Sequence, residues 1–533
     1  MSAERWFLTV AERDNPHTVI DRRHGDGLPW TRGNQVRAHI DGADYFAALR
    51  REVDLLEAGD SLFFTDWRGD PDEALGADGR AVADVFADAA RRGVIVKGLF
   101  WRSHWDKLSY SEEENRTLAD DVNKAGGEVL LDMRVRTLGS HNQKFVVLRH
   151  PGRPHLDVAF AGGIDLCHTR NDTSAHHGDP QAVRMGKVWG PTPPWHDAHI
   201  ELRGSAVGDI EATFRERWDD PARLVRHPVA RIDSAIHRDH TRPGPLPPVL
   251  PDPPEQGDAC VQVLRTYPYR HPQYPFAPRG ERSIARAYDK ALKLAESLVY
   301  IEDQYFWSGE VVSCFAQALR RNPRLRLIVV LAHYASQDGA IGAASDLVAR
   351  TEAIDEVVAA GGERVAVYGL ENEAGTPIYV HAKVCVVDDV WCTIGSDNVN
   401  RRSWTHDSEL TCAVYDNNHD VREPRVVDGF GEGARRFPRD LRLQLAREHL
   451  GRAEGEDADL VDPTSAFEAF RRTAADLQAW IDAGQIGPRP PGRVRPYVSP
   501  RYRGAEKAVA ELVYRVAADP DGRPPGMRGT DRF

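Results

Sequence analysis

YVHAKVCVVDDVWCTIGSDNV, residues 379–399, reads as an apolar strand, a tight acidic turn, a second apolar strand and a closing turn rich in Gly, Ser and Asn. An earlier stretch follows the same plan: SHNQKFVVLR at 140–149, then VAFAGGIDL at 158–166. Polar residues at matching offsets are harder to obtain by chance than matching periodicity, so the chain reads as an internal duplication.

Outward from these segments, strands and helices alternate. VRAHI, DYFAALRREVDLLEAG and SLFFTDW give strand, helix and strand in the first half; VQVLRTY, SIARAYDKALKLAES and LVYIEDQYF repeat the order in the second. Such alternation predicts an α/β layered fold. Between the halves, HTRPGPLPPVLPDPPEQ has too many prolines for a helix or an inner strand and reads as an extended linker. The expected organisation is a lead-in at 1–34, a first half at 35–237, the Pro-rich linker at 238–258, a second half at 259–425, and a helical C-terminal extension at 426–533. From Ile486 that extension is rich in Pro, Gly and Arg, a composition suited to wrapping the surface or to mobility.

The second half carries the chemistry. His381 and Lys383 are two residues apart on a predicted strand, so imidazole and ammonium share a face, while Asp388 opposes them and reads as a structural brace. A lysine supplies fixed positive charge to phosphoryl oxygens and a histidine exchanges protons near neutrality, a pairing suited to a phosphodiester. After Gly395, the Ser396 hydroxyl and Asn398 amide are candidate phosphate hydrogen-bonders, and Glu409 is a candidate to orient the imidazole. His381 or Lys383 alone would pass for the polar face of an edge strand; the whole set would not.

The first half matches with two departures. Lys144 is present, but Asn142 stands in the histidine place and Arg149 in the aspartate place. An amide nitrogen has no basic lone pair, so neither nucleophilic attack nor proton transfer survives there. His141 is one residue off and is expected to face the other way. Gly163 and Asp165 correspond to Ser396 and Asn398, and Asp197 in PWHDAH takes the orienting place held by Glu409. Trp195, Tyr305 and Trp307, with Trp67, Trp101 and Trp105 beside other strand ends, are candidates for an aromatic substrate rim.

The set His381, Lys383, Asp388, Gly395, Ser396, Asn398 and Glu409 resembles the signature of the phospholipase D superfamily. GGIDL, PWHDAH, IEDQYF at Ile301 and EHLG at Glu448 are similar to its eukaryotic-type, plant-containing branch, over about residues 35 to 450. The resemblance implies two pseudo-twofold-related α/β/α sandwich halves sharing one site and a phosphohistidine intermediate. It implies hydrolysis or transphosphatidylation of a glycerophospholipid or lysophospholipid, with Asn142 in the place of the nucleophile and His381 protonating the leaving alcohol. The residues by themselves do not say which motif attacks. A cardiolipin-type synthase, a nuclease or a non-catalytic phospholipid binder remain as alternatives. Asn142 is either natural decay or an exchange made to trap substrate; the intact remainder of the site favours the exchange.

Composition narrows these expectations. A net charge of −12 disfavours nucleic acid as a partner, and no run reaches the ~20 apolar residues of a membrane span. The charged N-terminus does not read as a secretory signal, so a cytoplasmic monomer making transient contact with membranes or micelles is expected. The six cysteines lack metal-ligand spacing, and neither a cofactor nor a metal is expected.

Overall fold

Each half of the chain builds one mixed sheet, and the two sheets share a strand order. In the first, the order is Glu128–Asp132, Ile95–Trp101, Ser61–Asp66, Phe145–Arg149, Val158–Gly162, Ala198–Arg203 and Thr31–Ile40. In the second it is Val365–Glu371, Arg326–Leu331, Leu298–Asp303, Val384–Val387, Trp391–Gly395, Glu409–Asp416 and Ala259–Tyr267. The first three strands of each are parallel and the rest antiparallel, so the duplication is present in topology as well as in sequence. The sheets meet edge to edge where Thr31–Ile40 pairs with Ala259–Tyr267 across an irregularity in register. The computed structural model describes residues 3–102, 112–225, 228–335, 340–424, 433–499, 518–530 and 533; Trp105 and residues 426–432 and 500–517 lie outside them.

Helices Gly42–Asp54, Val82–Arg91 and Glu112–Lys124 cover one face of the first sheet, and Ser283–Leu294 and Gly309–Arg321 cover one face of the second. Between the two sheets lies a shared core, to which Phe63, Val147 and Ile200 contribute from one side and Ile328, Val386 and Cys412 from the other. Sheets covered on both faces need near-continuous apolar strands, which is why FVVLR and VCVV read as they do. Helices Arg436–Leu450 and Pro463–Asp482 pack into the same core, so the C-terminal extension is part of the body of the fold. Its Arg-rich end is not all helix or surface coil: Val494–Pro496 adds an antiparallel strand to Val365–Glu371. No helix among the described residues is long and apolar enough to cross a membrane.

One local expectation fails. His381 and Lys383 fall between strands Pro377–Val380 and Val384–Val387. Asn142 and Lys144 likewise precede strand Phe145–Arg149. The chain changes partners there: Tyr379 and Val380 pair with Trp195 and His196, whereas Val384 onward pairs within the second sheet. A continuous ladder cannot serve both neighbours, so the motif occupies the crossing.

Candidate active site

Each motif is stitched to the opposite half. The Asn142 backbone N–H donates to Ser408 O (2.9 Å), and that of His381 to His196 O (2.8 Å). In both cases the next residue is the acid, Glu409 or Asp197, and its carboxylate takes up the motif side chain. Asn142 Nδ2 donates to both Glu409 oxygens (3.1 and 3.0 Å), and His381 Nδ1 lies 2.6 Å from Asp197 Oδ2. This corrects the expected assignment: Glu409 serves Asn142 rather than His381, and Asp197 crosses over to serve His381. Spacing within one half cannot reveal an exchange made by packing the two halves together.

Both lysines are buried and held alike. Lys144 Nζ donates to Asn142 O (3.0 Å), and Lys383 Nζ to His381 O. Lys144 also reaches Asn142 Oδ1 (2.7 Å) and pairs with Asp165 (3.3 Å). Burial pushes the Lys383 ammonium down to about 8, with Asp197 and Asp303 pulling upward and Lys144 adding like-charge repulsion, so the two cations act in one electrostatic field. Burial and Lys383 together push His381 down to about 4 against the pull of Asp197, while Asp197 itself is held well below the usual carboxylate range. His381 is therefore neutral at pH 7 in the free protein, with Nδ1–H on Asp197 and Nε2 available to take a proton. Burial and Asp407 raise Glu409 to about 7.

Several expected ligands have other duties. The Ser396 hydroxyl donates to Glu409 (2.5 Å) and accepts from Leu410 N, so it braces the acid instead of offering itself to phosphate. Asp165 pairs with Lys144 and Arg170 (both 3.3 Å); a carboxylate here positions cations and would repel an anion. Asn398 Oδ1 is buried without a hydrogen-bond partner among the described residues. Gly163 is required by space, since a Cβ there would run into the Asp197 carboxylate. A Cβ on Gly395 would meet Thr411. Asp388 accepts from the backbone N–H groups of Glu296, Ser297 and Leu298, and Arg149, in the matching place, is buried between Asp157 and Glu211. His141 is buried against Gln143, away from this centre.

The aromatic rim is also revised. Trp195 is buried, stacks on Tyr379 (4.7 Å) and touches His381 (5.0 Å), forming a wall behind the imidazole. Tyr305 and Trp307 stack on each other at 4.0 Å; Trp307 is buried and only Tyr305 is partly exposed. Trp67 and Trp101 form a comparable stack at 5.6 Å. Three further residues belong to the site. Arg170 lies 3.9 Å over the Trp195 ring beside Asp165, adding a third cation. Asp66 and Asp303 close equivalent strands and accept from Leu166 N and Val399 N, fixing the two Gly/Ser turns. Their shared position at the ends of SLFFTD and LVYIED was the available signal. Among the described residues, the imidazoles and carboxylates close enough to share a metal ion cluster behind Asp197, around His196.

Two α/β halves that each deliver a buried lysine and a carboxylate-held polar side chain to one composite centre define a duplicated α/β protein with a single shared site. The model described as "Phospholipase D" matches residues 110–244 and 364–487, and that described as "Cardiolipin synthase, PLD-like domain" matches 288–423. Similar proteins include phospholipase D alpha 2 of Oryza sativa subsp. japonica, 26% identical over 433 residues, covering 61% of this chain and 51% of the relative. Phospholipase D alpha 2 of Arabidopsis thaliana is 25% identical over 569 residues, covering 82% and 66%. The chain thus spans about half to two thirds of the length of these curated relatives. The crystal structure of phosphatidylserine synthase from Haemophilus influenzae Rd KW20 aligns with a TM-score of 0.49 at 14% identity, over 72% of this chain and 82% of that one. The chain belongs to the phospholipase D superfamily.

Proposed function

We propose that this chain is a phospholipase D-type phosphodiesterase framework that grips the phosphodiester of a glycerophospholipid or lysophospholipid between Lys144 and Lys383, and that Asn142 halts it at the bound stage. The observation supporting this reading is the crossed pairing of Asn142 with Glu409 and His381 with Asp197 around the two lysines. With an imidazole at 142, its Nε2 would attack phosphorus as the bond to the head-group alcohol breaks, and His381, having taken up a proton on Nε2 when the anionic phosphodiester binds and offsets Lys383, would protonate the departing oxygen. His381, then neutral, would deprotonate water to release phosphatidate, or an acceptor alcohol to release a new phosphatidyl ester. Asparagine performs none of the first step, while the cations that hold substrate stay in place. The substrate is presented by a membrane or micelle to a single copy of the chain.

A phosphatidyl-transferring synthase is the second reading, favoured by the cardiolipin synthase description of residues 288–423. It differs in the acceptor, not in the site. The binding half of the proposal is tested by flotation with phosphatidylcholine vesicles and by calorimetry with a soluble lysophospholipid. The unsubstituted chain should bind, and Lys144→Ala and Lys383→Ala should each weaken binding at least about tenfold. Equal affinity in all three proteins would refute it.

A further inference from the structure

Behind Asp197, four side chains from four distant segments converge. Asp41 precedes helix Gly42–Asp54, His176 lies in a loop, His196 is in strand Trp195–His196, and Glu448 is in helix Arg436–Leu450. Their nearest atoms are 3.0 Å apart for His176 Nε2 and Glu448 Oε1, 3.2 Å for His196 Nδ1 and Glu448 Oε1, and 3.1 Å for His196 Nδ1 and Asp41 Oδ1. The outer nitrogens are already committed. His176 Nδ1 donates to Trp195 O (3.0 Å), and His196 Nε2 donates to Glu302 Oε2 (2.8 Å). In the neutral tautomers this leaves two imidazole lone pairs pointing at two carboxylates, an arrangement that demands positive charge at its centre.

We infer that Asp41, His176, His196 and Glu448 form a buried structural site for one divalent transition-metal ion of the zinc class. All four ligand atoms lie within 4.8 Å of one another, compatible with a tetrahedral ion whose ligand bonds are about 2.0–2.2 Å. The surrounding shell is of the kind such ions require. Glu302 accepts from His196 and from His449 (2.7 Å) and is further held by Tyr300, giving a carboxylate–histidine–metal relay that fixes the tautomer. Asp41 Oδ2 is buried without a hydrogen-bond partner among the described residues. Asp41 (φ 66°, ψ 157°) and His176 (φ 52°) both adopt left-handed backbone that non-glycine residues avoid, a cost that a strong central bond offsets. Two imidazoles with two carboxylates suit zinc, cobalt or iron better than magnesium or calcium, which prefer six or more oxygens. With four protein ligands the site is closed. Its effect is positional: His196 O receives the His381 N–H and Asp41 N donates to Asp197 O (2.9 Å), so the ion would clasp the C-terminal helix to the back of the catalytic pair.

Metal content of the full chain purified without chelator is measured by mass spectrometry, followed by chelator dialysis and titration with Zn2+ and Co2+. The expected results are one equivalent of bound metal, a tetrahedral Co2+ absorption spectrum, and a rise in Tm that saturates at one equivalent of Zn2+. His176→Gln and Glu448→Gln should lose the spectrum and the saturable rise, while His24→Gln, in a separate His–Asp cluster with Asp209, should keep both. Should the variants fail to fold, the titration of the unsubstituted chain still decides. Two protons in place of the ion would leave the apoprotein indifferent to excess Zn2+ and Co2+, and binding that persists in both folded variants would be adventitious; either result overturns the inference.

Discussion

Replacing Asn142 by histidine is the most exacting perturbation of this site. At present the amide bridges Glu409 at 3.0 and 3.1 Å and Lys144 Nζ at 2.7 Å, so it occupies an ammonium that a phosphate would otherwise use. An imidazole would place Nδ1–H on Glu409, as His381 does on Asp197 at 2.6 Å, turn Nε2 toward phosphorus and release Lys144. Regaining a nucleophilic route is worth at least about a thousandfold in kcat/KM, or ~4 kcal/mol of transition-state stabilisation. The assay is release of choline or ethanolamine from phospholipid vesicles, with an unspecific aryl phosphodiester in parallel. Quenching the revived protein in alkaline denaturant with phosphorus-labelled substrate should capture a protein-bound phosphohistidine that survives base and is lost on acid treatment. A folded Asn142→His protein, matched to its parent in circular dichroism and Tm, that stays within about threefold of the parent on every substrate would refute the assigned role of this position.

In that revived background, Asp197→Asn should lower kcat about 10²- to 10⁴-fold, because the imidazole loses the carboxylate that orients and charges it; steady-state kinetics checks this. Gly163→Ala should act in the same direction by displacing Asp197, with a drop in kcat larger than any change in Tm would explain. Glu409 gains its negative charge as pH rises through about 7 and Lys383 loses its positive charge through about 8, so phosphodiester affinity should begin to fall near pH 7 and fall more steeply above 8, by about tenfold per pH unit or more, measured by calorimetry across pH 5 to 10. Asp388→Ala should cost about 2–4 kcal/mol in urea unfolding, since three backbone donors lose their acceptor, while kcat in the revived protein changes less than about threefold.

The duplication, the two lysines and the lack of a basic nitrogen in the Asn142 side chain were all legible in the chain before folding. Each depends on local order: offsets within one segment, or the lone pairs of one side chain. Partnership between segments was not legible. That Glu409 holds Asn142 while Asp197 holds His381, that Ser396 and Asp165 serve neighbours instead of a ligand, and that Asp41, His176, His196 and Glu448 meet at all are decided by how two sheets and a C-terminal helix pack. A strand's spacing specifies which side chains share its face. Only the packing of one half on the other specifies what that face meets.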